Sequence, residues 1–131
     1  APDTTPAPAT VRELMASADE ARLSDRPADA ITILERLLDT HADDAEAPLA
    51  AIILARLERA RGHHARAAEV LRIALDLGVP RTLDEEIRAE RILELEAAGA
   101  RESCAAEARA YLDTYPDGAH VADARRCSLE P

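Results

Sequence analysis

The stretch ADAITILERLLDT, residues 28–40, is repeated 37 residues later as ARAAEVLRIALDL (65–77) and again as ESCAAEARAYLDT (102–114). All three copies place a small residue at the third position and a Leu-Asp pair near the end. The apolar residues between them recur at three- and four-residue spacings, which is typical of a helix with one buried face. A constant period of this length indicates an array of helix pairs, in which each unit buries its apolar face against its neighbours.

Composition independently favours helices. The chain has 131 residues, no Phe and no Trp, and Tyr111 and Tyr115 are its only aromatic residues. A core without large rings has to be built from Leu, Ile, Val and Ala, and the thirty alanines favour closely packed helices. We therefore expect one all-α domain over residues 11–131. The opening APDTTPAPAT, residues 1–10, is predicted to be a Pro/Ala/Thr-rich linker.

Glycine and proline divide the domain into three helix pairs. The units are predicted at about 11–44, 48–81 and 85–118, followed by a capping helix at about 119–128. The first helix of each pair is predicted at about 11–24, 45–61 and 83–97. The second helices are predicted from Asp25 or Pro27 through Leu38, then at about 64–77 and 101–114. Gly62 and Gly99 stand at the turns within the second and third pairs, where a glycine commonly ends a helix.

The second helices carry a family resemblance. The positions that match are Gly62, Ala67, Leu71, Ala74 and Leu75 in the second unit, and Gly99, Cys104, Ala108, Tyr111, Leu112 and Pro116 in the third. This pattern resembles the second half of a tetratricopeptide repeat. The first helices lack the large aromatic residue and the Leu-Gly pair of that family, so the repeats are degenerate. The resemblance implies a right-handed superhelical stack of three degenerate helix pairs with a C-terminal capping helix.

A narrower likeness lies near the C-terminus. The segment AYLDTYPDGAHVADAR, residues 110–125, is similar to repeats of bacterial envelope proteins, including outer-membrane assembly lipoproteins and the helical tails of sigma-regulator proteins. That likeness implies a place in the bacterial cell envelope, with the linker at residues 1–10 tethering the domain to a membrane through a preceding segment. The alternative is a cytoplasmic regulatory repeat domain whose linker joins it to a larger signalling protein.

The two cysteines are placed to form a disulfide. Cys104 lies about twelve residues before the turn at Pro116, and Cys127 lies about ten residues after it. In an antiparallel helical hairpin both side chains then lie at the same level, and a disulfide needs a Cα separation of about 4.4–6.8 Å. The pairing implies an oxidising, periplasmic or otherwise extracytoplasmic compartment. The alternative is a pair of reduced cysteines, with Cys104 acting as a small core residue in a cytoplasmic protein.

Charge and motifs argue against several classes of chemistry. The formal net charge of −10, with every basic residue an Arg, argues against nucleic-acid binding. His63 and His64 are adjacent, and neighbouring residues on a helix point about 100° apart, so we expect no metal site. The glycines are spread over the turns and form no phosphate-binding loop, and no nucleophile motif surrounds any serine. We expect no catalytic activity and no cofactor.

The sequence predicts a partner-binding face on the first helices, by analogy with the resembled family. The candidate residues are Arg22, Leu49, Ile52, Arg56 and Arg59. Leu49 and Ile52 beside two arginines form an apolar strip with basic neighbours, which suits an extended acidic peptide or a helix of a partner. In the alternative, Leu49 and Ile52 belong to the core and the arginines pair with nearby Glu. A third interpretation is a helical carrier of a small apolar ligand.

Overall fold

The computed structural model describes residues 7–128, and within that range the chain forms seven α-helices and no strand. The helices are α1 (Val11–Leu23), α2 (Pro27–Thr40), α3 (Ala47–Ala60), α4 (His64–Leu77), α5 (Arg81–Ala97), α6 (Arg101–Thr114) and α7 (Val121–Ser128). The predicted all-α class is confirmed. Consecutive helices pack against each other, and α7 also packs against α5. We call α1, α3 and α5 the first helices and α2, α4 and α6 the second helices.

The 37-residue period is preserved in the backbone. The second helices begin at Pro27, His64 and Arg101. Each is preceded by a left-handed residue with positive φ, namely Asp25 (55°), Gly62 (78°) and Gly99 (73°). The next amide N–H donates to the carbonyl five residues earlier, in the pairs Arg26–Ala21 (2.8 Å), His63–Glu58 (2.9 Å) and Ala100–Leu95 (3.0 Å). This is the bond pattern of a left-handed helix C-cap, so all three pairs turn in the same way.

Helix α7 continues the register of the first helices. Ala124 lies 37 residues after Ile87, which itself lies 37 residues after Ala50. All three side chains are at most 1% exposed. The predicted capping helix is therefore present at Val121–Ser128. Its one buried residue, Ala124, has the position of the core residues Ala50 of α3 and Ile87 of α5.

The interior consists of two apolar clusters. One is built by α1–α4 together with Ile87 of α5, and the other by α5–α7 together with Ala68 of α4. Buried charged groups lie along α3 and α5 beside them: Glu58, Arg91 and Glu94. Arg91 donates from Nε to the carbonyl of Ala68 at 3.2 Å and pairs with Glu107 of α6. A buried charge needs such partners to offset its lost hydration.

The N-terminal residues that the structure describes fix the start of α1. The hydroxyl of Thr10 accepts from the N–H of Glu13 at 3.1 Å, and the N–H of Thr10 donates to Glu13 Oε1 at 3.2 Å, forming a capping box. The ring of His41 donates from Nε2 to the carbonyl of Ala9 at 2.9 Å. Residues 7–10 form no helix; the predicted linker otherwise falls on residues 1–6, outside the described range. No helix in the described range is long and apolar enough to span a bilayer.

Candidate functional site

Two of the predicted binding residues cross from α3 to α5. Arg56 donates to both carboxylate oxygens of Glu90, from Nε at 3.1 Å and from Nη2 at 2.9 Å. Arg59 Nη1 lies 3.5 Å from Glu90 Oε1. The hydrogen bond to Glu90 raises the pKa of Arg56 above its ordinary value, against the effect of burial. The guanidinium groups are therefore engaged by the neighbouring first helix and not by Glu residues close in sequence.

A buried carboxylate completes this ionic network. Glu94 is 5% exposed, and its Oε2 lies 2.7 Å from Nδ1 of His64 at the start of α4. Its other oxygen lies 3.9 Å from Nε of Arg59. Within residues 7–128 no buried polar side-chain atom lacks a hydrogen-bond partner. The surface between α3 and α5 near their C-terminal ends, which we call the second groove, is thus closed by ion pairs.

The apolar members of the predicted strip separate from each other. Ile52 is 3% exposed and belongs to the first cluster, so it is core. Leu49 is 46% exposed, and Leu93 of α5 is 38% exposed. The structure therefore brings Arg56 and Arg59 together over Glu90, buries Ile52 in the core, and leaves Leu49 exposed.

An open groove lies between α1 and α3, at their C-terminal ends. This first groove has a volume of about 640 Å³ and is lined by Asp19, Arg22, Leu23, Asp25, Pro27, Leu57, Ala60 and Arg61. Leu23 is 89% exposed, the highest value among the exposed large apolar residues of the described chain. Arg22, the remaining predicted binding residue, pairs with Asp19 at 3.1 Å, and both side chains are about half exposed. An exposed pair of this kind contributes little, so the Arg22 guanidinium is available to a partner.

The register explains why the first groove is open and the second is closed. Arg22 of α1 stands 37 residues before Arg59 of α3, so the two have equivalent positions. Glu94, which Arg59 faces, is replaced at the equivalent position by Leu57, and Glu90 is replaced by Ile53. The first groove therefore keeps an arginine at its edge and has Leu57 in place of Glu94, while Asp19, the partner of Arg22, stands at the position of Arg56.

Sequence reasoning identified Arg22 but missed Leu23, Leu57 and Arg61. Leu23 occupies the position of Ala60 and Ala97 in the next two units. The sequence did contain a signal for Leu23: a large apolar residue stands just before the turn, at a position where the next two units have alanine.

A second polar cluster joins the start of α5 to the turn between α6 and α7. The Tyr111 hydroxyl donates to Glu85 at 2.8 Å and accepts from the His120 N–H at 2.9 Å. Glu85 also accepts from the Ala119 N–H at 2.9 Å, and Tyr115 donates to Asp84 at 2.5 Å. Asp84 in the first turn of α5 and Glu85 next to it thus bond the C-terminal hairpin through their side chains.

The predicted disulfide is confirmed. Cys104 of α6 and Cys127 of α7 are bonded, with Cα atoms 5.8 Å apart. Beside it lies a pocket of about 900 Å³ between α5, α6 and α7, which we call the disulfide pocket. Both cysteines line it, as do Glu96, Arg101 and Arg126. Arg126 bonds both oxygens of Glu96 at 2.7 Å and so joins α7 to α5.

Comparisons with known proteins do not assign the chain to a family. No protein-family model matches the chain, and no curated protein is significantly similar to it. Within residues 7–128 no group of three or more His, Cys, Asp or Glu side chains is placed to hold a metal ion. The first groove and the disulfide pocket are two open concave surfaces of the described chain that combine apolar and charged side chains.

Proposed function

We propose that this protein is a non-catalytic protein-interaction module that binds a peptide or a helix of a partner protein in the first groove. The observation that carries the proposal is the exposure of Leu23, 89%, beside the half-buried Leu57 in a groove about 640 Å³ in volume. A concave surface that combines apolar side chains with a few polar groups at its edge is the usual form of a binding site.

The proposed partner segment combines an aliphatic side chain with a carboxylate. In the second groove the chain itself places Glu90 and Glu94 against Arg56 and Arg59. A partner carboxylate beside Arg22 would take the place that Glu94 has beside Arg59, with Arg61 as the second arginine of the groove, while its aliphatic neighbour packs on Leu23. It would compete with Asp19, the present partner of Arg22, at an exposed pair. Charge-assisted pairing to arginine favours a carboxylate in such a place.

The architecture that supports this function is the stack of three helix pairs. The turns repeat with the same backbone geometry every 37 residues. This regularity supports a right-handed superhelical arrangement of the kind found in tetratricopeptide repeats, with the first helices side by side. In such arrays the shared face of the first helices is the surface that binds peptides.

The proposed location is the bacterial cell envelope. The disulfide between Cys104 and Cys127 supports it, because disulfides persist in oxidising compartments and are rare in the cytosol. A free-thiol count on denatured protein, purified from its native host without reductant, tests the location. We expect no free thiol and a mass two hydrogens below that of the reduced chain; two free thiols would contradict an envelope location and favour the cytoplasm.

Selection of peptides from a random display library tests the binding function. We expect the recovered peptides to share an aliphatic residue near an acidic residue. Binding should fall at least on the order of ten-fold with Leu23→Glu, which removes the apolar anchor and adds a repelling carboxylate. Leu23 is 89% exposed, so the variant keeps the fold.

Leu49→Glu is the matched control, because Leu49 is an exposed leucine on α3 that does not line the first groove. It should leave peptide binding unchanged. Equal loss in both variants, or peptides that bind equally well to Leu23→Glu, would place the binding surface elsewhere.

A further inference from the structure

Helix α7 fills only the first part of the position that a first helix has in the array. Residues 37 positions apart in the chain are called counterparts here. Helix α7 begins at Val121, two periods after Ala47 at the start of α3, and its last residue, Ser128, is the counterpart of Arg91 in α5. Helix α5 continues past Arg91 through residues 92–97. No residue that the structure describes stands at the counterparts of these positions.

In the second unit, the end of α5 covers the start of α4. Ile92 and Leu95 of α5 are buried in one apolar cluster with Ala68 of α4. Between them in sequence, Glu94 places its Oε2 atom 2.7 Å from Nδ1 of His64, the first residue of α4. The start of this second helix is therefore covered by two aliphatic side chains and one carboxylate from the first helix that follows it.

The disulfide pocket lies where this cover is missing from α6. Arg101 and Ala105 of α6 are the counterparts of His64 and Ala68, and both line the pocket of about 900 Å³. Ala68 is 1% exposed, whereas Ala105 is half-buried and Arg101 is exposed. Leu95 lines the same pocket from α5. The pocket therefore has the place of a helical segment that the described array lacks.

The charged side chains around the pocket differ in how far they are already paired. Those that line it are Arg101, Arg109, Arg126, Glu96 and Glu102. Arg126 bonds Glu96 at 2.7 Å and Asp123 at 3.1 Å, and Arg109 is engaged as well. Glu102 lies in the first turn of α6, where the helix dipole favours a carboxylate. Arg101 makes no ion pair among residues 7–128, and it stands where His64 meets a carboxylate of the next helix.

We propose that the disulfide pocket docks an amphipathic helix of a partner protein, which lies along the start of α6 as the end of α5 lies along α4. The helix presents two aliphatic side chains to the apolar wall of the pocket and a carboxylate between them to Arg101. This is the pattern of Ile92, Glu94 and Leu95 in α5. Repeat arrays are held together by packing between neighbours, so the docked helix continues the array.

The site is separate from the proposed binding surface of the first groove. The first groove lies between α1 and α3, whereas the disulfide pocket lies between α5, α6 and α7. Its walls are helices, and the adjoining α4–α5 interface is formed by two helices. The occupant is therefore a helix and not an extended peptide, and its binding does not require that the first groove binds anything.

Fluorescence anisotropy of a labelled helical peptide tests the proposal on the intact, oxidised chain. The probe is an alanine-rich peptide, acetylated and amidated, that carries Ile, Glu and Leu at the spacing of Ile92, Glu94 and Leu95. We expect saturable binding with a Kd below about 1 mM, because one short helix buries little area and loses entropy when it orders. A matched peptide with Ser in place of Ile and Leu should bind at least roughly five-fold more weakly.

Charge reversal at Arg101 identifies the site. Arg101→Glu should weaken binding of the Glu peptide by about five-fold and should favour a peptide with Lys in place of Glu. The variant keeps the fold, because Arg101 is exposed and a carboxylate is favoured at the start of a helix. Arg125→Glu, at an exposed position of α7 that does not line the pocket, is the matched control and should leave binding unchanged. Leu23→Glu, the variant that tests the first groove, should also leave it unchanged.

Three results would overturn the proposal. The first is tighter binding of the Lys peptide than of the Glu peptide to the native chain, as the formal charge of −10 alone would produce. The second is an equal loss of binding in Arg101→Glu and Arg125→Glu. The third is the absence of saturable binding to the full chain, with binding only to a chain shortened to Ser128, because residues 129–131 would then be the occupant of the pocket.

Discussion

Asp25 occupies, in the first helix pair, the same left-handed turn position that Gly62 occupies in the second. The two residues are 37 positions apart and have φ values of 55° and 78°. The amide that follows each donates to the carbonyl five residues earlier, at 2.8 and 2.9 Å. The first pair has therefore kept the backbone geometry of the turn without the residue type that adopts it at least cost.

Replacing Asp25 by Gly is expected to stabilise the protein. A left-handed conformation costs a residue with a Cβ roughly 1–2 kcal/mol, while the added freedom of glycine in the unfolded chain returns about 0.5–1 kcal/mol. We expect the free energy of unfolding to rise by about 0.5–1 kcal/mol, measured by urea denaturation. The reverse substitution at the equivalent position, Gly62→Asp, should lower the free energy of unfolding. If Gly62→Asp instead stabilises the protein, the left-handed turn is not retained in solution.

Gly118→Ala is expected to destabilise the C-terminal hairpin. A Cβ at Gly118 would overlap the hydroxyl oxygen of Tyr111 and lie 2.8 Å from Oε2 of Glu85. Tyr111 is 0% exposed, so its ring has no free space into which to move. We expect a loss of about 1–3 kcal/mol, the usual cost of overpacking, measured by urea denaturation.

A double-mutant cycle with Tyr111→Phe checks the cause. Removing the hydroxyl costs about 1–3 kcal/mol through the lost bonds to Glu85 and His120. It also removes the closest overlap, so Gly118→Ala should cost less in the Tyr111→Phe background than in the native chain. Purely additive losses would mean that the hydroxyl is not what the new methyl group meets.

Breaking the disulfide is expected to lower stability without abolishing the fold. The bond closes a loop with a sequence separation of 23 residues, for which the chain-entropy relation gives about 3 kcal/mol. We expect Cys127→Ala to lose about that amount in chemical denaturation. Addition of a reductant should destabilise the native chain by a similar amount and leave Cys127→Ala unaffected; a reductant effect on the variant would reveal a different cause.

Stability is expected to fall in acid through Asp84 and Glu96. Hydrogen bonding and ion pairing with Arg126 lower the pKa of Glu96. Burial acts to raise the pKa of Asp84, but the hydrogen bonds from Tyr115 and Arg88 together outweigh it and lower that pKa. Because both folded-state pKa values lie below the unfolded ones, the stabilisation is complete above the unfolded values, about 4, and is lost as pH falls through the folded ones. Denaturation midpoints at decreasing pH measure it, and Glu96→Gln should flatten the curve.

Stability is expected to fall again in alkali through the two tyrosines. Burial and the hydrogen bond to Glu85 raise the pKa of Tyr111, and the hydrogen bond to Asp84 raises that of Tyr115. The stabilisation is complete below the unfolded value, about 10, and is lost as pH rises through the folded values. Tyrosinate absorbance followed alongside the denaturation midpoint should show both changes together. A Tyr115→Phe variant with an unchanged alkaline limb would assign the loss to other groups.

The helices were largely predictable from the sequence because their signals are local. Gly62 and Gly99 mark the ends of α3 and α5, and the observed bounds lie within about two residues of the predicted ones. The disulfide followed from a hairpin whose turn at Pro116 sets both cysteines at one level. These inferences need only the helical period and the chemistry of turns.

The candidate site was less predictable, because it depends on which side chains cross between helices. The analogy placed Ile52 and Arg56 together on one binding face. In the structure Ile52 is buried in the first apolar cluster, because it packs against neighbouring helices. Glu90 and Glu94 gave no local sign that they would reach back to α3. The first groove has Leu57 at the position that Glu94 occupies 37 residues later, so the carboxylate that closes the second groove is missing from the first. This difference is seen only when the two units are compared.

The division of the interior into two apolar clusters governs which parts of the molecule can open independently. The first groove rests on α1 and α3 in one cluster, and the disulfide belongs to the other. In an array with nearest-neighbour packing, opening begins at the ends. At the C-terminal end the covalent bond makes α6 and α7 detach as one piece. Loosening there leaves the groove at the opposite end assembled, so the proposed binding surface can stay intact while the C-terminal end opens.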